Sequence, residues 1–261
     1  MARLWEPQRP FSRALMVAAH PDDAEFGASG TIAKLVEMGT DVRYVVVTDG
    51  ASGSADPAMT RERLAELREG EQRAACKELG VTLVEFLGYP DGYLEPTIPA
   101  RRAVAAAIRR HRPELVITLD PTVRWTGWGS INHPDHRAVG DLVLHSVNPA
   151  ASTRLWDPIL IDEGLEPWDI AELWLMSFGR GEMMVDITDT FDRKLAALRA
   201  HASQMVGWDP APRMRDVAGR LGEQVGRQFC EAFTVLQLRV LDDEGSVPVR
   251  DKPPTNPKPA R

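Results

Sequence analysis

Four short runs of almost uninterrupted apolar residues constrain this chain more than any other feature. Residues 15–19, 42–48, 82–87 and 115–119 each have the length of a strand and little polar alternation, the pattern of a strand covered on both faces. Each is followed by a segment with helical character: 27–38, 61–79, 99–110 and 133–147. In 61–79 the residues Leu64, Leu67, Ala75 and Leu79 form an apolar face, and Gly80 is a stop signal. In 99–110 Val104, Ala107 and Ile108 do the same, and Pro134 suits the first turn of the last helix. Such alternation predicts an α/β fold, a mainly parallel sheet with helices on both faces in a three-layer sandwich. Beyond residue 147 the pattern weakens. Strands are expected at 172–178 and 184–187, helices at 190–201 and 217–229, and a loop at 204–215. With no internal repeat or linker, residues 1–241 are expected to form a single domain. Residues 242–261, rich in Pro, Lys and Asp, are expected to be a disordered tail.

Composition narrows the partners. The 261 residues carry a net charge of -7 and no run of Lys or Arg, which argues against nucleic acid and anionic lipid. Residues 1–12 lack the apolar stretch of a secretory signal, and no apolar run approaches the roughly 20 residues that span a bilayer. Cys76 and Cys230 form no paired motif. A cytoplasmic protein without stable membrane insertion is the expectation. Self-association is left open.

Two dense groups of histidine and aspartate carry the chemistry. His20-Pro21-Asp22-Asp23 follows the first apolar run, and in a parallel sheet the carboxyl ends of strands are where ligands bind. Acidic residues before a helix can also serve only as caps and dipole partners, but that does not account for the adjacent His20. The second group is Asn132-His133-Pro134-Asp135-His136, in which His133 and His136 are three apart and share a helix face. Asp135 is placed to fix an imidazole tautomer. Together the groups offer His20, Asp23 and His136 as metal ligands and leave Asp22 and His133 for proton transfer, although spacing alone would allow these roles to be permuted. A dinucleotide site lacks G-x-G-x-x-G, and there is neither a GK[ST] loop, a G-x-S-x-G elbow nor HExxH.

Ala19-His20-Pro21-Asp22-Asp23 and His133-Pro134-Asp135-His136 resemble the two signature motifs of the LmbE-like, or PIG-L, zinc deacetylases. Further similarity runs through Thr31 to Leu35, Val46 to Gly50, Phe86 to Gly92, Asp186-Ile187-Thr188 with Lys194, and His201-Ala202-Ser203-Gln204. Members remove acetyl or other acyl groups from amino sugars. The resemblance implies a Rossmann-like fold and a zinc ion held by His20, Asp23 and His136, with iron(II) as an alternative for such N/O donors. It also implies Asp22 as general base, His133 as oxyanion stabiliser or acid, Asp135 as the residue orienting His133, and Arg68 and Asp91 as sugar contacts. For the last two the plain alternatives are a solvated helix arginine and a turn aspartate. Two departures stand out: Ala24 replaces a common glutamate, and residues 129–132 supply no tyrosine before the second motif.

The expected activity is hydrolysis of an N-acylated amino sugar by metal-activated water, with Asp22 taking the proton. An amidase cleaving a thiol–sugar conjugate on the same fold, and a noncatalytic Rossmann-like binding protein, are the alternatives. Trp125 and Trp128 could line a sugar pocket or be packed in a loop, His111 is expected at the surface, and His201 has no assigned role.

Overall fold

The computed structural model describes residues 2–7, 9–125 and 129–239; the expected tail at 242–261 lies outside them. Its eight-stranded sheet has β1 (Arg3–Leu4), β2 (Arg13–Ala18), β3 (Asp41–Thr48), β4 (Leu83–Tyr89), β5 (Leu115–Leu119), β6 (Glu172–Met176), β7 (Met183–Asp186) and β8 (Cys230–Gln237) in the order β1-β7-β8-β6-β5-β2-β3-β4. Every pairing is parallel except those that β8 makes with β6 and β7. The main-parallel α/β fold expected from the apolar runs is the one observed.

The helices are α1 (Asp23–Gly27), α2 (Ser29–Glu37), α3 (Arg61–Leu79), α4 (Ile98–His111), α5 (Pro134–His145), α6 (Pro158–Asp162), α7 (Phe191–Ala200) and α8 (Ala211–Glu223). α2, α3 and α7 pack on one another, and α4 packs on α5. β2 and β5 are buried along nearly their whole length, which is why their sequences show no alternation. α3 has the local signals a helix needs: the Thr60 hydroxyl accepts the Arg63 N–H at 3.2 Å, and Gly80 closes the last turn at φ 73.

Three expectations need correction. The helix expected at 27–38 is two helices, because the backbone breaks at Ala28. The helix expected at 217–229 starts at Ala211 inside the expected loop and ends at Glu223. Pro210 and Pro212 flank its first residue, and proline is well tolerated in a helix's first turn. β8 had no counterpart in the sequence reading. Its Glu231 is buried, accepting the N–H groups of Gly30 at 3.1 Å and Thr31 at 2.7 Å while pairing with Lys194 Nζ at 2.7 Å.

The site follows from the strand order. From β2 the chain moves outward to β3 and β4, then returns to β5 on the other side of β2 and proceeds to β6. The carboxyl ends of β2 and β5 therefore flank a topological switch point, where open α/β sheets form their crevice. Both motifs emerge there.

Glu231→Ala leaves Lys194 as an uncompensated buried cation and the first N–H groups of α2 without an acceptor. It is expected to lower the unfolding free energy by about 3–5 kcal/mol, seen as a lower urea midpoint at unchanged slope.

Candidate metal centre

β2 ends at Ala18, and the next two residues turn the chain over the end of the sheet. The Asp23 side chain secures this turn: its Oδ2 accepts the backbone N–H of Ala19 at 3.1 Å and of His20 at 2.8 Å. Asp22 takes φ 101, a left-handed conformation that aspartate tolerates better than most side chains. Its N–H donates to Gln72 Oε1 at 3.1 Å. Asp22 and Asp23 thereby line the same cavity although they are neighbours in the chain.

The second motif arrives on the N-terminus of α5. His136 Nε2 lies 3.0 Å from Asp23 Oδ1, and His136 Nδ1 lies 2.9 Å from Asn132 Oδ1. Asn132 donates its own amide N–H to the Val123 carbonyl at 2.8 Å, so its oxygen is the atom that faces His136. Nδ1 then carries the proton and the Nε2 lone pair points into the site. His20 is its mirror image. Its Nε2 faces carboxylates, Asp135 Oδ2 at 3.3 Å and Asp91 Oδ1 at 3.1 Å, while Nδ1 faces Asp23 Oδ2 at 3.5 Å. A neutral His20 thus keeps its proton on Nε2 and offers Nδ1.

Two donor groups share His20: His20 with Asp23 and His136, and His20 with Asp91, His133 and Asp135, the ligand atoms of each lying within 4.8 Å of one another. Their lone pairs distinguish them. Asp135 spends its oxygens on the N–H groups of Gly92 at 2.8 Å and Leu94 at 3.3 Å, and Asp91 Oδ2 accepts the Ser52 N–H at 2.9 Å. His133 Nδ1 accepts the Asp135 N–H at 3.2 Å. Neutral His20 and His136 instead offer two imidazole nitrogens, and Asp23 a carboxylate, within 4.8 Å of one another, a donor set that fits a divalent cation with a position left open.

The charges are strongly coupled. Burial alone would lower the His20 pKa, but the carboxylates of Asp135, Asp23 and Asp91 outweigh it and hold His20 well above the ordinary imidazole range. Burial would raise Asp23, yet His136 and His20 hold it well below the usual carboxylate range. Asp22 moves the other way. Burial pushes it up to about 6 against the opposing charge of Arg68, whose Nη2 is 3.1 Å from Asp22 Oδ2. Burial and the neighbouring His20 lower His133.

Arg68 is not a solvated helix arginine. It is buried, donates to the carbonyls of Gly50 at 2.8 Å and of Pro21, and lines the cavity beside Asp22. Asp91 is also buried and lines the cavity. Asp49 Oδ1 accepts the N–H groups of Ala51 and Asp91, tying the loops after β3 and β4 together. Asp135 does not orient His133 through its carboxylate, whose nearest oxygen is 3.9 Å from Nδ1; its backbone N–H does so. His111, expected at the surface, is buried between Glu85 and Arg43. Trp125 is exposed and borders a separate recess, and Trp128 lies outside the described residues. His201 is fully buried, 3.4 Å from Glu25, whose Oε1 accepts a hydrogen bond from Gln72. Sequence reasoning missed Gln72 as the holder of Asp22 and Asn132 as the holder of His136. The available signal was the four-residue spacing Arg68–Gln72 and Asn132–His136, one helical turn each.

The family model described as GlcNAc-PI de-N-acetylase, PIG-L, matches residues 15–147, a stretch containing both motifs. The diacetylchitobiose deacetylase of Thermococcus kodakarensis is 32% identical over 87% of this chain and 84% of its own length. A 1D-myo-inositol 2-acetamido-2-deoxy-alpha-D-glucopyranoside deacetylase of Mycobacterium sp. (strain JLS) is 31% identical over 74% of each chain. The solved structure of N,N'-diacetylchitobiose deacetylase from Pyrococcus horikoshii, complexed with its inhibitor MPG, matches with a TM-score of 0.80 at 32% identity, covering 89% of this chain and 88% of that one.

Asn132→Ala removes the acceptor that fixes the His136 tautomer. Divalent-metal affinity, measured by chelator competition, is expected to fall by about 10- to 100-fold with the fold intact by circular dichroism.

Proposed function

The chain belongs to the GlcNAc-PI de-N-acetylase (PIG-L) family, and we propose that it is a zinc-dependent hydrolase that removes the acyl group from an N-acylated amino sugar. The observation that carries this reading is the convergence of His20 Nδ1, Asp23 and His136 Nε2 beside Asp22, a carboxylate with a raised pKa, on one cavity. The named relatives act on acetylated amino sugars with quite different second halves, diacetylchitobiose and an inositol glucoside. The substrate class is therefore taken as the acylated amino sugar itself, a small molecule. Among the described residues no helix is long and apolar enough to cross a membrane. Cys76 and Cys230, both buried and free, are in keeping with a reducing, cytoplasmic setting.

His20, Asp23 and His136 would hold the cation. When bound, it supplies Lewis acidity and lowers the pKa of water from about 16 toward about 7. Asp22 takes the proton of the attacking water as the new C–O bond forms at the acyl carbon. His133 faces the oxygen that becomes negative. Because its Nδ1 accepts the Asp135 N–H, a neutral His133 carries its proton on Nε2 and donates a hydrogen bond there without first being charged. This agrees with its lowered pKa and differs from the protonated donor that a general acid would require. As the C–N bond breaks, Asp22 returns its proton to the nitrogen, and the products are a carboxylate and the free amino sugar. Arg68 has a positioning role, bridging the Pro21 and Gly50 carbonyls and setting the angle of Asp22.

Metal analysis combined with amine release from a panel of N-acetylglucosaminides tests the reading. A noncatalytic binding protein would hold no stoichiometric metal and release no amine. Asp22→Asn is expected to keep its metal while kcat falls by about 10²- to 10⁴-fold; a near-native kcat removes Asp22 from the base role.

The pH dependence follows from the direction of the Asp22 shift. A carboxylic acid is neutral below its pKa and cannot accept a proton, so kcat/KM is expected to fall tenfold per pH unit on an acid limb at or below about pH 6. A cation bound beside Asp22 can only move that limb lower. An acid limb that persists unchanged in the residual activity of Asp22→Asn would exclude Asp22 as the titrating base.

A further inference from the structure

We infer that the acyl group this enzyme removes is a chain longer than acetyl, accommodated in an apolar arm of the cavity that runs from the metal centre to α8. The inference rests on the amide-hydrolase reading above.

The cavity measures about 580 Å³, within the range of about 300–1,000 Å³ that encloses drug-sized ligands. Its two walls differ in chemistry, and the strand order keeps them apart. On the side of β3 and β4 it is lined by Ser52, Gly53, Arg68 and Asp91. On the side of β6 and β8 it is lined by Phe26, Phe178, Met214, Val217, Ala218 and Leu221. His20 and His136 stand between the two walls.

The apolar wall is built. Met214, Val217, Ala218 and Leu221 fall at i, i+3, i+4 and i+7 of α8 and form one stripe. Phe178 follows β6, with its ring centroid 5.8 Å from that of His136. It adopts φ 49, a costly conformation for a bulky residue that persists only where the surroundings enforce it. Phe26 is braced by Trp208, the rings stacked at 6.2 Å. Of the charged groups that line this side, Lys194 and Glu231 are paired with each other at 2.7 Å, and Arg213 stands on α8 next to Met214 at the end of the stripe. Protein interiors rarely leave voids larger than a water molecule, so an apolar recess continuous with the catalytic centre is space for a ligand.

The scissile amide fixes which part of the substrate enters which side. Its carbon must lie at the metal centre, with the sugar on the nitrogen side and the acyl chain on the other. Sugar hydroxyls moved from water against Phe26, Phe178 and the α8 stripe would lose their hydrogen bonds uncompensated. The polar wall can replace them. The sugar therefore lies toward Ser52, Arg68 and Asp91, and the acyl chain points along the arm.

The test uses zinc-loaded protein and methyl glucosaminides bearing N-acetyl, N-butanoyl, N-hexanoyl and N-octanoyl groups, with octyl N-acetylglucosaminide as the aglycone control. Each fully buried methylene is worth about fourfold in kcat/KM, and N-hexanoyl is expected to exceed N-acetyl by about tenfold or more. Ala218→Trp, which narrows the arm, should bring that ratio close to one, with the fold checked by circular dichroism. Calorimetry on the unsubstituted protein gives a second readout, with hexanoate expected to bind more tightly than acetate. A series that is flat or falling with chain length, with N-acetyl still turned over, overturns the inference and leaves the deacetylase reading standing. A gain confined to the octyl glycoside overturns it by assigning the arm to the aglycone. Release of no amine from any amide by fully metallated protein overturns the hydrolase reading and this inference together.

Discussion

The carboxylate of Asp23 is the constraint on which the site is built, because its two oxygens serve different masters. One accepts the N–H groups of Ala19 and His20 and fixes the turn at the end of β2. The other meets His136, more than a hundred residues away in sequence. A carboxylate anchored by two backbone donors cannot swing, so the imidazoles gather around it. The second motif is thereby brought to the first through a side chain whose position is already set by local backbone geometry. That anchoring also lowers the cost of holding a negative charge in a buried place.

Around this centre the protein maintains an unusual density of buried ionisable groups. His20, Asp23, Glu25, Asp91, Asp135, Lys194, His201 and Glu231 are all buried. Their arrangement divides the labour between neighbours. Asp23 is stabilised as an anion by imidazoles, whereas Asp22, one residue earlier, is pushed up to about 6 by burial despite Arg68. Two adjacent carboxylates driven in opposite directions is the condition under which one can hold charge permanently and the other can exchange a proton. The backbone at Asp22 is held from beneath by Gln72, and Gln72 in turn by Glu25.

The parts of this molecule legible in its sequence are those governed by short-range rules. β5 and α3 coincide with the expected segments, and β2 to β4 lie within a residue or two of theirs, because buried parallel strands and glycine-stopped helices announce themselves locally. The two motifs were legible because histidine and aspartate clustered at a strand end have few structural uses. β8 was not, since its Glu231 looks like a surface residue until α2 and Lys194 are placed over it. Nor was the role of Asp135. Its closeness to His133 suggested a side-chain bond, but the capping geometry of α5 brings in its backbone N–H and turns the carboxylate toward Gly92 and Leu94. Gln72 reaches Asp22 across folded distance, which no spacing rule measures, whereas Asn132 stands one helical turn before His136 and was within reach of one.

The reversed strand β8 has a consequence in time as well as in space. During synthesis the chain emerges from its N-terminus, and domains begin to organise as they emerge. β2 to β5 can pair with one another once residue 119 is available, and both motifs are present by residue 136. β1, although among the first residues made, joins the sheet only through β7, and β7 only through β8. β6 can add to β5 as it emerges, but β7 and β1 must wait for the strand beginning at Cys230, so the nascent protein has the residues of its candidate metal centre long before the far edge of its sheet can form.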